Sequence, residues 1–112
     1  MTKTFATDAV FVKHANDGVF LKPFFGKDDT GGRVNNLEII IVPGYEILPH
    51  SHAHSTEYFY VVSGEGDYLE DTTWHKIKAG DAFQALDGVV HALKATGNDV
   101  LKLFSTFSPP IM

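Results

Sequence analysis

From Val10 to Phe104 the apolar residues come in short runs, each closed by a turn-forming group. Val10-Phe11-Val12, Val19-Phe20-Leu21, Leu37 to Val42, Glu57 to Val62, Asp67 to Leu69 and Val100 to Phe104 are rich in β-branched and aromatic side chains. Between them stand Asn16-Asp17-Gly18, Gly31-Gly32, Pro43-Gly44, Gly64-Glu65-Gly66, Ala79-Gly80-Asp81, Asp87-Gly88 and Thr96-Gly97-Asn98. Branched and aromatic residues suit a pleated, half-buried surface, and glycine turns reverse its direction. No window of helical length places its apolar residues at 3.6 spacing. The pattern predicts an all-β chain, folded as an antiparallel sandwich or barrel of jelly-roll type.

Size and charge narrow what such a chain does. At 112 residues it falls within the range of one domain, so residues 1–112 are expected to share one core. It has no cysteine, which removes disulfides and thiolate ligands and suits a reducing compartment. Any bound metal must be held by nitrogen and oxygen. The net charge of -5 disfavours nucleic acid and anionic lipid as partners. The first residues carry no signal-like apolar stretch, and no apolar run reaches membrane-spanning length. The expectation is a soluble, cytoplasmic protein with no membrane partner.

The chemistry concentrates in one stretch, His50-Ser51-His52-Ala53-His54-Ser55-Thr56-Glu57. In a strand, alternate side chains share a face, so His50 and His52 point to one side. Small polar residues can then turn the chain, and a hairpin would set Glu57 beside both histidines on an inner wall. A carboxylate at the head of so apolar a strand is costly to bury without a partner. A divalent cation would be such a partner, and His91, just after Asp87-Gly88-Val89-Val90, is available to complete its shell.

These residues resemble a known family. Gly44, five residues, His50-x-His52, four residues, Glu57, six residues and Gly64 match the first cupin motif at every spacing. Gly80, five residues, Leu86-x-Gly88, two residues and His91 are similar to the second cupin motif, with Leu86 where the family usually has proline and Ala95 where it often has asparagine. The motifs occupy residues 44–64 and 80–95. The resemblance implies a small single-domain cupin, an antiparallel jelly-roll β-barrel of the RmlC-like kind. It implies that His50, His52, Glu57 and His91 hold one divalent metal, with iron(II) expected first and manganese, zinc, nickel or copper as alternatives.

His54 sits too near Glu57 for the motif, which makes it a rim or turn residue and the one candidate for a catalytic base beside the metal. His14 and His75 have no partner visible in the sequence and are expected to be structural or surface residues. Phe59 and Leu93, each two residues beyond a ligand, should face the interior and shape a substrate pocket. Phe83, Gln84 and Phe104 are further pocket candidates. The strand Leu37 to Val42 is apolar on both faces, so the N-terminal strands within 1–42 are expected at a homodimer interface. Three functional readings follow: a non-haem iron-type oxygenase on a small oxygenated organic substrate, a redox-neutral lyase or isomerase on a sugar acid or keto compound, and a non-catalytic binding or sensing module.

Overall fold

A computed structural model describes residues 3–6 and 9–112, so residues 1, 2, 7 and 8 of the N-terminal segment lie outside the described residues. No helix occurs among the described residues, and ten strands form two antiparallel sheets. In chain order they are β1 (Val12–Lys13), β2 (Val19–Phe25), β3 (Asn35–Ile41), β4 (Glu46–His50), β5 (Thr56–Ser63), β6 (Glu65–Glu70), β7 (Thr73–Lys78), β8 (Ala82–Ala85), β9 (His91–Ala95) and β10 (Leu101–Ser108). One sheet runs β1-β2-β3-β10-β5-β8 and the other β4-β9-β6-β7. This is a jelly roll, in which the chain crosses repeatedly from one sheet to the other between β3 and β10.

The period of two in the sequence sets the core. Leu37, Ile39 and Ile41 of β3, Phe59 and Val61 of β5, and Leu101, Leu103 and Phe107 of β10 all point inward and are buried. They meet Ile47, Tyr68, Ile77 and Leu93 from the facing sheet in one contiguous cluster. The strands that apolar runs alone did not disclose are β4, β7, β8 and β9. Leu48-Pro49, Trp74-His75-Lys76 and Phe83-Gln84 mix polar with apolar residues, because their outward face meets solvent.

Gly64 shows why a motif glycine is needed. Its φ is +85°, a left-handed conformation that side-chain-bearing residues rarely adopt, and a Cβ there would collide with the Val100 backbone. The turn from β5 to β6 therefore closes against the start of β10.

Leu37, Ile39 and Ile41 are buried, but Glu38 and Ile40 between them are half-buried on the outer face. The N-terminal strands β1 and β2 do not lie across that face. They extend the sheet edge beside β3, with Val19 opposite Ile41 and Leu21 opposite Ile39.

Candidate metal centre

The site is assembled by register. In the smaller sheet β4 pairs with β9 so that His50 stands opposite His91, and their ring centroids are 4.2 Å apart. In the larger sheet Glu57 of β5 stands opposite Phe107 of β10. The expected hairpin between the histidines and Glu57 does not form. β4 and β5 belong to opposite sheets, and residues 51–55 carry the chain across the gap between them. His52 therefore lies beyond the end of β4, in the crossing segment, yet its ring still lies 5.0 Å from His50 and 5.2 Å from His91.

One ligand atom from each of His50, His52, Glu57 and His91 lies within 4.8 Å of the others. The Glu57 carboxylate oxygen Oε1 is 3.4 Å from His91 Nε2 and 3.7 Å from His52 Nε2. Both distances are too long for good hydrogen bonds, and these two nitrogens are buried with no hydrogen-bond partner. A buried polar nitrogen without a partner is rare. Three imidazoles and a carboxylate converging in this way fit one divalent cation, which would satisfy both orphaned nitrogens at once.

Outer partners aim the rings. His50 Nδ1 lies 2.8 Å from the Leu48 carbonyl oxygen, and His91 Nδ1 lies 3.0 Å from that of Val89. Each carbonyl can only accept, so each Nδ1 carries the proton and leaves Nε2 as a lone-pair donor toward the centre. Ser105 Oγ donates to Glu57 Oε2 at 2.5 Å, holding one carboxylate oxygen and leaving Oε1 toward the histidines. The turn before His91 is tied to the crossing segment, since the Gly88 amide donates to the His52 carbonyl at 2.8 Å. Leu86, standing where proline is usual, is exposed at that turn and accepts from the Val89 amide at 3.1 Å, so the departure leaves His91 in place.

Electrostatics agree with this arrangement. Burial by itself would push the Glu57 carboxyl up, but His52, His91 and the Ser105 hydroxyl outweigh it and hold it below the ordinary carboxylate range. Burial lowers the His50 pKa, and the neighbouring His91 and His52 add to that effect. A lowered value favours the neutral imidazole that metal ligation requires.

Above the cluster lies a cavity of about 170 Å³. Phe59 and Leu93 line it, with Leu21, Leu37, Ile39 and Ile47 around them. Phe83 is one layer removed, stacked on Phe59 at 4.8 Å. Gln84 and Phe104 do not reach the cavity, which corrects their reading as pocket residues. Both stand on the outward phase of their strands, Gln84 opposite Tyr58 and Phe104 opposite Tyr60, and Phe104 packs against Phe24 at 6.1 Å. His54 is exposed in the crossing turn and is not among the cavity residues. His75 is on the surface, 3.8 Å from Glu70.

Four contributors lie outside the site read from the sequence. Ser105 had a legible signal, a polar residue in phase with Leu101, Leu103 and Phe107. His14 was read as structural or surface, but it is half-buried and lines the cavity. Ile111 and Met112 also line it, and no local pattern places them there.

A jelly roll with a His-x-His, Glu and His cluster between its sheets defines the cupin class of metal-site barrels. A profile of the Cupin domain family matches residues 37–107, and the chain belongs to that family. Similar proteins include an uncharacterised protein of Methanocaldococcus jannaschii, 26% identical over 102 residues that cover 80% of this chain and 82% of that one. Among solved structures, a predicted oxalate decarboxylase from Thermotoga maritima superposes with a TM-score of 0.82 at 22% identity, covering 90% of this chain and 91% of that one. The polyketide cyclase RemF from Streptomyces resistomycificus gives a TM-score of 0.82 at 15% identity, covering 100% and 86%. At these identities the likenesses speak to the fold.

Proposed function

We propose that this cupin is a metalloenzyme holding one divalent ion, iron(II) first, through His50, His52, Glu57 and His91, and that it oxygenates a small oxygenated organic substrate. The observation that carries the reading is the convergence of four ligand atoms within 4.8 Å beneath an apolar cavity. A bound iron(II) would supply oxygen-activating and Lewis-acid chemistry. The chain's own part is to hold the imidazoles through Leu48 and Val89, to fix the carboxylate through Ser105, and to exclude water with Phe59, Leu93 and Phe107. A dry apolar wall suits oxygen chemistry, because it limits side reactions with water.

A redox-neutral lyase or isomerase is the second reading, and the cavity-lining His14 favours it as a group able to move a proton. Tyr68 is a poor alternative for that role. Burial, with Glu70 and Glu57, pushes its hydroxyl up to about 12, and the hydroxyl donates to the Gln84 carbonyl at 3.1 Å. The likeness in fold to a predicted oxalate decarboxylase and to a polyketide cyclase supports keeping this reading. The binding module comes third.

Protein purified anaerobically from its host should carry about one iron per chain and take up oxygen with diketones, thiols or phenolic compounds. Zinc, manganese or nickel at that stoichiometry, with activity indifferent to oxygen, transfers the proposal to the second reading. No bound metal of any kind ends both.

The same reading includes a homodimer. Tyr58, Tyr60, Val62 and Phe104 are between 37% and 49% exposed on one outer sheet face, where a second copy would cover them. Sedimentation should then give twice the chain mass, and Tyr60→Glu should halve it. A wild-type chain that sediments as a monomer removes this element.

A further inference from the structure

Among the described residues, the cavity holds one polar side chain besides the four of the cluster, and it is His14. His14 lies in the turn between β1 and β2 and is fixed twice. Its backbone amide donates to the Val19 carbonyl at 3.0 Å, and its Nδ1 accepts from the Asn16 amide at 2.9 Å. A ring nitrogen that accepts cannot also carry the proton, so the neutral ring carries it on Nε2. Burial and the neighbouring Lys13 hold the His14 pKa below the usual histidine value, against the pull of Glu57. At neutral pH the ring therefore offers an N–H donor.

That donor is available. Among the described residues, the sealed, unpartnered side-chain atoms are Asn35 Nδ2, His52 Nε2 and His91 Nε2, and His14 Nε2 is not one of them. The rest of the wall is aliphatic and aromatic, and neither lysine nor arginine contributes to it among the described residues. Apart from His14 and the four clustered residues, such a wall offers a guest no polar partner. A buried hydroxyl without a partner is costly, so each hydroxyl spread along a guest would weaken its binding. The volume of about 170 Å³ is enough for a single ring, since an apolar cavity of about 150 Å³ accepts benzene.

The geometry points to His14 as the donor that fixes the oxygen-bearing end of a compact, otherwise apolar guest of single-ring size, and against polyols and sugar acids. This deepens the reading of the same cavity given above and rests on it for the cavity as the place where a guest binds.

The test uses the full chain loaded with zinc(II), with benzoate and gluconate as probes. Both carry one carboxylate, on a ring in the first and on a polyol in the second. Titration followed by NMR should show benzoate binding at least about tenfold tighter than gluconate. His14→Phe keeps the bulk of the ring and removes the donor, so benzoate affinity should fall about tenfold while zinc content stays at the wild-type level. His14→Gln, which restores an N–H donor, should recover most of the loss.

Gluconate binding as tightly as benzoate, no measurable binding of benzoate, or a His14→Phe variant that binds benzoate like wild type would each overturn the inference. The same titration on metal-free protein separates the two proposals. If the chain takes up no zinc yet binds benzoate through His14, the metal reading fails and this one stands. If zinc is bound but benzoate is not, this one fails alone.

Discussion

Replacing His91 by Ala should strip the protein of its metal while leaving the barrel folded. His91 is 2% exposed, stands opposite His50 in the register, and holds one of the two orphaned nitrogens. Losing an outer partner of a ligand costs about tenfold to a hundredfold in metal affinity, and losing the ligand itself should exceed that range. The fold should survive, because the contiguous core is built from apolar residues that do not include His91. Elemental analysis after gel filtration, beside circular dichroism of the same sample, measures both halves. His54→Ala is the control and should keep its metal, since His54 is exposed outside the cavity. Retention of full metal by His91→Ala would sink the four-ligand assignment, and equal losses in both variants would mean that the wrong histidine of the triplet was chosen.

Ser105→Ala should weaken the site without touching a ligand atom. Ser105 is fully buried, and its hydroxyl makes the one short hydrogen bond to the Glu57 carboxylate, at 2.5 Å. Its loss should lower metal affinity by about tenfold to a hundredfold. Hydrogen bonds to charged groups contribute about 1.5–3 kcal/mol, so the metal-free variant should also unfold more easily at neutral pH by roughly that amount. Glu57 is held below the ordinary carboxylate range, so its ionised form contributes stability that is present above the unfolded-state pKa and is lost as pH falls through the folded value. The gap between wild type and Ser105→Ala should therefore narrow as the solution is acidified through the carboxylate range. Urea unfolding of the two metal-free proteins across that range tests it. Equal stability at every pH would show that the serine does not support the charge.

The strand pattern was legible because most inward faces are apolar and most turns need glycine. Leu37, Ile39 and Ile41 announce β3, while β4 and β7 stay hidden behind outward residues such as Leu48 and Trp74. The four clustered side chains were legible from spacing, yet the reason given for their meeting was mistaken. Spacing along the chain suggested a hairpin, whereas the pairing of β4 with β9 and of β5 with β10 sends the segment between them across the barrel. Gln84 and Phe104 were misplaced by one step of strand phase, which moves a side chain from the core to the surface. Ile111 and Met112 were out of reach, because contacts with residues remote in sequence bring them to the cavity, and His14 was out of reach because its local turn with Asn16 and Val19 says nothing of the cavity it lines.

The last of those contacts divides the labour within the barrel. Ser55 Oγ donates to the Pro109 carbonyl at 2.6 Å, the Ile111 amide donates to Asn35 Oδ1 at 2.7 Å, and the Lys27 amide donates to the Met112 carbonyl at 2.9 Å. Ser55, Asn35 and Lys27, all remote in sequence, thus hold the segment that brings Ile111 and Met112 to the cavity wall. Under the proposed reading, Ile111 and Met112 would help choose a guest by its shape apart from the residues that would grip the ion, and they hang on the barrel by hydrogen bonds instead of strand pairing. Exchanging the side chains at 111 and 112 should accordingly reshape selectivity, with the four clustered residues and the apolar core left as they are.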